Sequence, residues 1–275
     1  PPDRLNLLFI DFKGGSGLRP LAGLAHCVGL LTDLDLGEVT RTLVSLEAEV
    51  RRREVLLAAH RAADLTAYEA LEPPGPPLPH LVLIIDEFRM LVDEAPDALA
   101  ELMRIAAIGR SLGIHLVMAT QRPQGAVSAD IRANVTSCIA LRVQSELESL
   151  DIINSRLAAA IPVTRPGRAY LVRGNEVPEE FQTATLSSPL PEPARSPTVT
   201  EAMELLIRPA ADGRMGGAGG GTPPPASLAV ARLAEAVSAA CAAAGSPAPR
   251  RPVAAPLPRH VPFPADGDRG RVRVG

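Results

Sequence analysis

Lysine is almost missing from this chain of 275 residues, because Lys13 is the only one and every other basic residue besides histidine is arginine. A phosphate-binding P-loop needs the sequence G-x-x-x-x-G-K-S/T, in which the lysine reaches the terminal phosphates. Lys13 precedes the glycine-rich segment Gly14–Gly17 instead of following it. The sequence therefore contains no P-loop, and this segment is predicted to be a flexible turn after a strand.

Cysteine and long apolar runs are scarce as well. Cys27, Cys138 and Cys241 are far apart and lack metal-ligand spacing, which argues against a disulfide framework and suits a reducing compartment. No run approaches the roughly 20 apolar residues of a transmembrane helix, and no signal peptide is visible. The net charge of −3 gives no general reason to expect nucleic-acid binding. The isolated cysteines, together with the lack of a transmembrane run and of a visible signal peptide, favour a cytoplasmic location.

The most informative stretch is the apolar run 81–85, which ends in Asp86 and Glu87. An uninterrupted aliphatic run of this length indicates a strand buried on both faces of a parallel sheet, and ligands bind beyond the carboxyl ends of such strands. The pattern is the Walker B motif of P-loop proteins that hydrolyse nucleotides. Asp86 would hold Mg²⁺ through its water shell, and Glu87 would orient and deprotonate the attacking water. The alternative is a strand followed by an acidic, solvated turn.

Strands and helices alternate along the first part of the chain. Strands are predicted at 5–11, 26–32, 80–87, 114–120, 137–143 and 168–173, and helices at 36–63, 96–113, 128–134 and 145–154. This alternation indicates right-handed crossovers and a mostly parallel α/β sheet flanked by helices. The basic run Arg51–Arg53 in the first helix is predicted to be a solvated face, with phosphate or nucleic-acid contact as the lesser alternative.

The composition changes in the last third of the chain, where proline, glycine and alanine dominate. We predict a folded core at 1–188 and a largely irregular, linker-like segment at 189–275. Within that segment, 199–207 and 227–244 are predicted helices, and much of 209–275 is expected to be poorly ordered.

Three segments, 81–88, 108–123 and 131–143, together resemble the FtsK/SpoIIIE family of hexameric translocase motors. The second and third are the more specific. The sequence Phe-Ile-Asp-Phe-Lys-Gly-Gly at 9–15 is most similar to the branch that drives type VII protein secretion, the EccC/EssC proteins, whereas DNA pumps of the family tend to carry Asp-Pro-Lys there. The resemblance covers residues 5–185 and implies a RecA-like, additional-strand P-loop fold.

The resemblance also implies roles for single residues. Asp86 would be the Mg²⁺-associated carboxylate and Glu87 the catalytic base. Gln121 would sense the γ-phosphate, since an amide both donates and accepts hydrogen bonds; a plain turn residue is the alternative. Arg110 would be an arginine finger directed at a neighbouring subunit's nucleotide, or else a cation at a helix end. Arg142 is a second candidate for the finger.

The absence of a P-loop departs from the family pattern. The family places that strand upstream of Pro1 in sequence, and between the strands at 114–120 and 137–143 in the sheet. We therefore expect a truncated chain or half of a split reading frame, unstable alone and unable to bind ATP tightly.

For the complete protein, the resemblance implies ATP-driven translocation of a secreted protein or of double-stranded DNA, with ATP and Mg²⁺ as cofactors. The subunits would form a homo-oligomeric ring or tandem ATPase modules. The location would be the cytosolic face of the membrane, with membrane contact only through parts outside this sequence. The alternative is a degenerate module that does not hydrolyse nucleotide and acts as a scaffold or substrate receptor.

Overall fold

A computed structural model describes residues 1–12, 17–32, 36–72, 74–127, 129–184 and 226–253. They form two compact units. The first holds the described residues up to Thr120 except 17–24, together with 245–253, and the second holds 17–24, 121–184 and 226–244. Most of the predicted turn at 14–17 and the predicted helix at 199–207 lie outside the described residues, and the division at 188 stays a prediction. No helix in the described part is long and apolar enough to cross a membrane.

The first unit is built on a four-stranded parallel sheet. Its elements are β1 (Leu5–Asp11), β2 (Cys27–Thr32), α1 (Leu36–Ala59), α2 (Leu65–Glu69), β3 (His80–Asp86), α3 (Arg89–Glu94), α4 (Pro96–Gly109) and β4 (Ile114–Met118). The strand order is β2-β1-β3-β4, so β3 lies between β1 and β4. Parallel strands joined by helical crossovers confirm the predicted α/β class.

One face of β3 is fully buried and the other only half-buried. Leu81, Leu83 and Ile85 are at most 2% exposed, and Ile85 lines a small apolar cavity with Leu46 of α1 and Leu102 of α4. The alternate residues of β3 are half-buried, so the two-sided burial expected from the apolar run is found on one face only. The helices α1 and α4 thus hold the strand that ends in the carboxylates.

The arginine run in α1 differs from its predicted role as a solvated face. Arg51 is exposed, but Arg53 is 2% exposed. Its guanidinium donates hydrogen bonds to Glu49 Oε1 at 2.9 Å, to the carbonyl oxygen of Leu112 at 2.7 Å and to that of Pro79 at 2.8 Å. The solvated-face interpretation is therefore wrong for Arg53, which joins α1 to the segments that lead into β3 and β4.

Local sequence explains where several elements begin. Pro96 occupies the first turn of α4, where its missing N–H costs nothing. Gly113 begins the path into β4 with a φ of +73°, a left-handed conformation that glycine adopts readily. In the second unit, Ser145 and Glu148 form a capping box at the start of the helix Glu146–Ile153, which satisfies two backbone N–H groups.

The second unit contains a three-stranded antiparallel sheet in the order β5-β6-β7. Its elements are a 3₁₀ helix (Arg19–Gly23), α5 (Ala129–Asn134), β5 (Ser137–Leu141), α6 (Glu146–Ile153), β6 (Arg168–Arg173), β7 (Glu179–Gln182) and α7 (Ala226–Ala243). Antiparallel pairing of β5 with β6 differs from the parallel continuation that the alternation suggested. The connection between β5 and β6 contains α6 and then the irregular segment 154–167. The chain therefore makes one additional reversal of direction compared with a parallel crossover, and β6 runs antiparallel to β5.

A histidine pair lies on the first sheet. The Nδ1 atom of His80 is 3.0 Å from Nε2 of His115, and the rings stack with centroids 5.2 Å apart. Burial, and then the charges of His80, Arg53 and Arg110, lower the pKa of His115 from its ordinary 6.5. A hydrogen bond between two ring nitrogens requires one of them to be unprotonated.

Stability is expected to fall in mild acid because of this pair. Since the pKa of His115 is lower in the folded state, the unfolded state binds more protons as the pH falls below about 6.5, and unfolding becomes more favourable. Urea unfolding at about pH 7.5 and about pH 5.5 should show a smaller acid loss for His115→Gln than for the unmodified protein. Equal losses in both proteins would contradict the assignment.

Candidate functional site

The two predicted site carboxylates follow one another at the carboxyl end of β3. Asp86 is the last residue of the strand and is half-buried, and Glu87 is 4% exposed. Glu87 has a φ of +56°, a left-handed conformation that costs a non-glycine residue about 1–3 kcal/mol and recurs at functional sites. This backbone conformation makes a tight turn between β3 and α3 and fixes the position from which the Glu87 side chain projects.

The Glu87 turn is tied to the end of the neighbouring strand β4. Thr120 Oγ1 donates a hydrogen bond of 2.7 Å to Glu87 Oε1. The backbone N–H of Ala119 donates to the carbonyl oxygen of Ile85 at 2.8 Å, and the N–H of Phe88 donates to the carbonyl oxygen of Ala119 at 3.0 Å. The residues on both sides of the carboxylate pair, Ile85 and Phe88, are therefore bonded to the same residue, Ala119, which directly follows β4.

Asp11 is a third carboxylate at this edge of the sheet. It ends β1 directly opposite Asp86 in the parallel register and is 2% exposed. An apolar run that ends in an acid, Phe-Ile-Asp at 9–11, repeats the pattern seen in β3, and that signal was available in the sequence. Nothing in the sequence pattern singles out Thr120, whose contact depends on the pairing of β3 with β4.

The described residues hold no group of three or more His, Cys, Asp or Glu side chains arranged to ligate a metal. A magnesium ion that keeps most of its water shell needs only one or two carboxylates from the protein. Asp86, half-buried at the sheet edge, fits that limited role by the chemistry of its oxygens. The donor set thus fits a hydrated Mg²⁺ and does not fit an all-protein metal cage.

The other three predicted site residues, Gln121, Arg110 and Arg142, are exposed, and their predicted roles are not tested by the contacts of the described residues. Gln121 is exposed and directly follows Thr120, and its contact with the carboxylates stays a prediction. Arg110 is exposed and caps the C-terminal end of α4, where a cation interacts favourably with the helix dipole. That position fits the helix-end alternative, and its role as an arginine finger stays a prediction. Arg142 is exposed just after β5.

Comparison with known sequences identifies relatives of this chain. The model of the FtsK/SpoIIIE family matches residues 1–125. The type VII secretion system protein EssC of Staphylococcus aureus (strain NCTC 8325 / PS 47) is 44% identical over 187 residues, which are 66% of this chain and 12% of EssC. The chain therefore spans a small part of this relative's length.

Comparison with solved structures leads to the same group. The cytoplasmic domain of the Thermomonospora curvata type VII secretion ATPase EccC matches with a TM-score of 0.72 at 26% identity, over 94% of this chain and 26% of that one. Thermomonospora curvata EccC (ATPases 2 and 3) in complex with a signal sequence peptide matches with a TM-score of 0.56 at 26% identity, over 66% of this chain and 32% of that one. The family match over residues 1–125, together with the similarity in sequence to EssC and in fold to EccC, identifies an FtsK/SpoIIIE-family domain of the EssC/EccC branch in this chain.

Proposed function

We propose that this chain supplies the catalytic carboxylates of an ATPase module in a type VII secretion motor, at the carboxyl edge of its parallel sheet. The observation that carries the proposal is the Asp86–Glu87 turn. Glu87 is buried, held by Thr120 and placed on a strained backbone at the carboxyl end of a central parallel strand. Open α/β sheets bind their ligands at this end. An acidic loop without a role in ligand binding or catalysis would be exposed to solvent rather than hydrogen-bonded to the end of the neighbouring strand.

The proposed mechanism divides the work among four side chains. Asp86 would hold Mg²⁺ through the water shell of the ion, which neutralises phosphate charge when bound. Glu87 orients the attacking water and accepts its proton. Gln121 contacts the γ-phosphate and reports its presence, and Arg110 of one subunit stabilises the charge that develops at a neighbouring subunit's nucleotide.

The phosphate cradle is proposed to come from a further parallel strand that carries the P-loop and pairs with β4. Within the described residues, β4 is an edge strand of its sheet, and Val117 on it is 50% exposed. An apolar edge strand of a parallel sheet is normally covered, since unpaired backbone groups and apolar side chains are otherwise left in water. These features support a further strand that pairs with β4 in the complete module.

We propose a secreted protein as the transported substrate. The support is the 44% identity to EssC and the related EccC structure that was solved with a signal sequence peptide. A net charge of −3 offers no general attraction for DNA. The motor would work as a ring or as tandem modules on the cytosolic face of the membrane.

ATP hydrolysis by the intact protein tests this function. We expect a peptide with a secretion signal to stimulate hydrolysis, and a scrambled peptide of the same composition and double-stranded DNA to have no effect. Stimulation by DNA alone would replace protein export with DNA translocation. Absence of hydrolysis under every condition, with nucleotide still bound, would instead favour the scaffold or receptor alternative.

A further inference from the structure

Thr120 is in direct contact with the proposed base. Its hydroxyl donates to Oε1 of Glu87 at 2.7 Å, and Thr120 itself is half-buried. Two backbone hydrogen bonds of the preceding residue, Ala119, reach the residues on either side of the Asp86–Glu87 pair. The hydroxyl therefore sits on a backbone that is fixed relative to the carboxylate it holds.

A buried glutamate needs such a restraint if it is to act as a base. The side chain has several rotatable bonds, and a base is efficient only when it lies within hydrogen-bond reach of the proton it removes. Threonine is β-branched and stiff at χ1, so its hydroxyl has few directions available. A stiff donor on a clamped strand end is thus suited to fixing one oxygen of a flexible carboxylate.

We propose that Thr120 is a positioning residue, whose hydroxyl fixes the Glu87 carboxylate at the angle needed to activate water. This inference rests on the proposed hydrolytic role of Glu87. It assigns a function to the residue immediately before the predicted phosphate sensor Gln121. Thr120 itself touches neither the nucleotide nor the water in this account and acts through Glu87.

The test compares Thr120→Val with Thr120→Ser in the intact protein, with kcat and KM for ATP as readouts. Valine keeps the shape and removes the donor, so kcat is expected to fall about 10- to 100-fold, as for other small misplacements of a reacting group. KM should stay within about twofold, since the hydroxyl does not bind substrate. Serine restores the donor and should recover most of kcat. The matched control is Thr136→Val, which changes an exposed threonine before β5 and should leave kcat unchanged.

Comparison of Thr120→Val, Glu87→Gln and the double variant tests the positioning role of Thr120 separately from the proposed role of Glu87 as the base. If Thr120 acts through Glu87, Thr120→Val should not lower further the residual ATP hydrolysis of Glu87→Gln, measured at high enzyme concentration over long incubation. Ordinary or raised kcat in Thr120→Val, with Glu87→Gln inactive, would overturn the inference and leave the proposed function intact. A loss that serine does not rescue would also overturn it, because the hydroxyl would not be the cause. Ordinary hydrolysis by Glu87→Gln would instead reject the assigned base itself.

Discussion

Glu87→Gln is expected to abolish ATP turnover by the intact protein while nucleotide stays bound. The amide cannot take a proton from water, and a positioned base contributes typically 10²–10⁴-fold to such a reaction. The substitution preserves shape, and the amide oxygen can still accept the hydrogen bond of Thr120. The loss should therefore appear in kcat, with nucleotide affinity kept, and it is measured by phosphate release together with binding of a fluorescent ATP analogue.

The matched control for this variant is Glu94→Gln, an exposed glutamate at the end of α3. It changes the net charge equally but is a solvent-exposed residue with no assigned role, and the turnover of this variant should match that of the unmodified protein. Turnover by Glu87→Gln near the unmodified rate would remove the base assignment. Loss of nucleotide binding as well would point to a role in affinity rather than in hydrolysis.

Arg53→Met is expected to cause the largest loss of stability of any single change considered for this chain. Burial opposes ionisation of Glu49, but the hydrogen bonds and charges of Arg52 and Arg53 outweigh it and hold the pKa of Glu49 below its usual range. Removing one partner of a buried ion pair costs about 3–5 kcal/mol. Arg52 still pairs with Glu49, so we expect about 3 kcal/mol from urea unfolding.

Arg51→Met supplies the comparison for that measurement. Arg51 belongs to the same basic run but is exposed, and surface substitutions of this kind usually change the free energy of unfolding by less than about 0.5 kcal/mol. If the Arg53 and Arg51 variants lose the same amount, the buried contacts to Pro79 and Leu112 do not stabilise the fold.

The burial of Arg53 could have been read from helical geometry. Consecutive residues of an α-helix point about 100° apart, so three neighbouring arginines cannot share one solvated face. Leu46, Val50 and Leu57 form the apolar stripe of α1, and Arg53 falls three residues after Val50 and four before Leu57. An arginine at a stripe position is a candidate for a buried cation that binds carbonyl oxygens.

Other features of the molecule were beyond the sequence pattern. Periodicity indicates that β5 and β6 are strands but contains no information on whether neighbours pair parallel or antiparallel. The strand β7 has the sequence Glu-Glu-Phe-Gln, in which Phe181 is the single apolar residue and no residue is β-branched, so the pattern that signals a strand is too weak to be recognised. The Thr120–Glu87 hydrogen bond depends on the register of β3 with β4, which no local pattern encodes. The Asp86–Glu87 position at a strand end, by contrast, followed from the apolar run alone.

A structure of the intact protein with a non-hydrolysable ATP analogue and Mg²⁺ tests the central claim most directly. We expect the γ-phosphate beside Gln121, the ion held by Asp86 through water, and the Glu87 carboxylate, still bonded to Thr120, facing the position of the attacking water. A nucleotide bound elsewhere, or Gln121 out of reach of its γ-phosphate, would contradict the account.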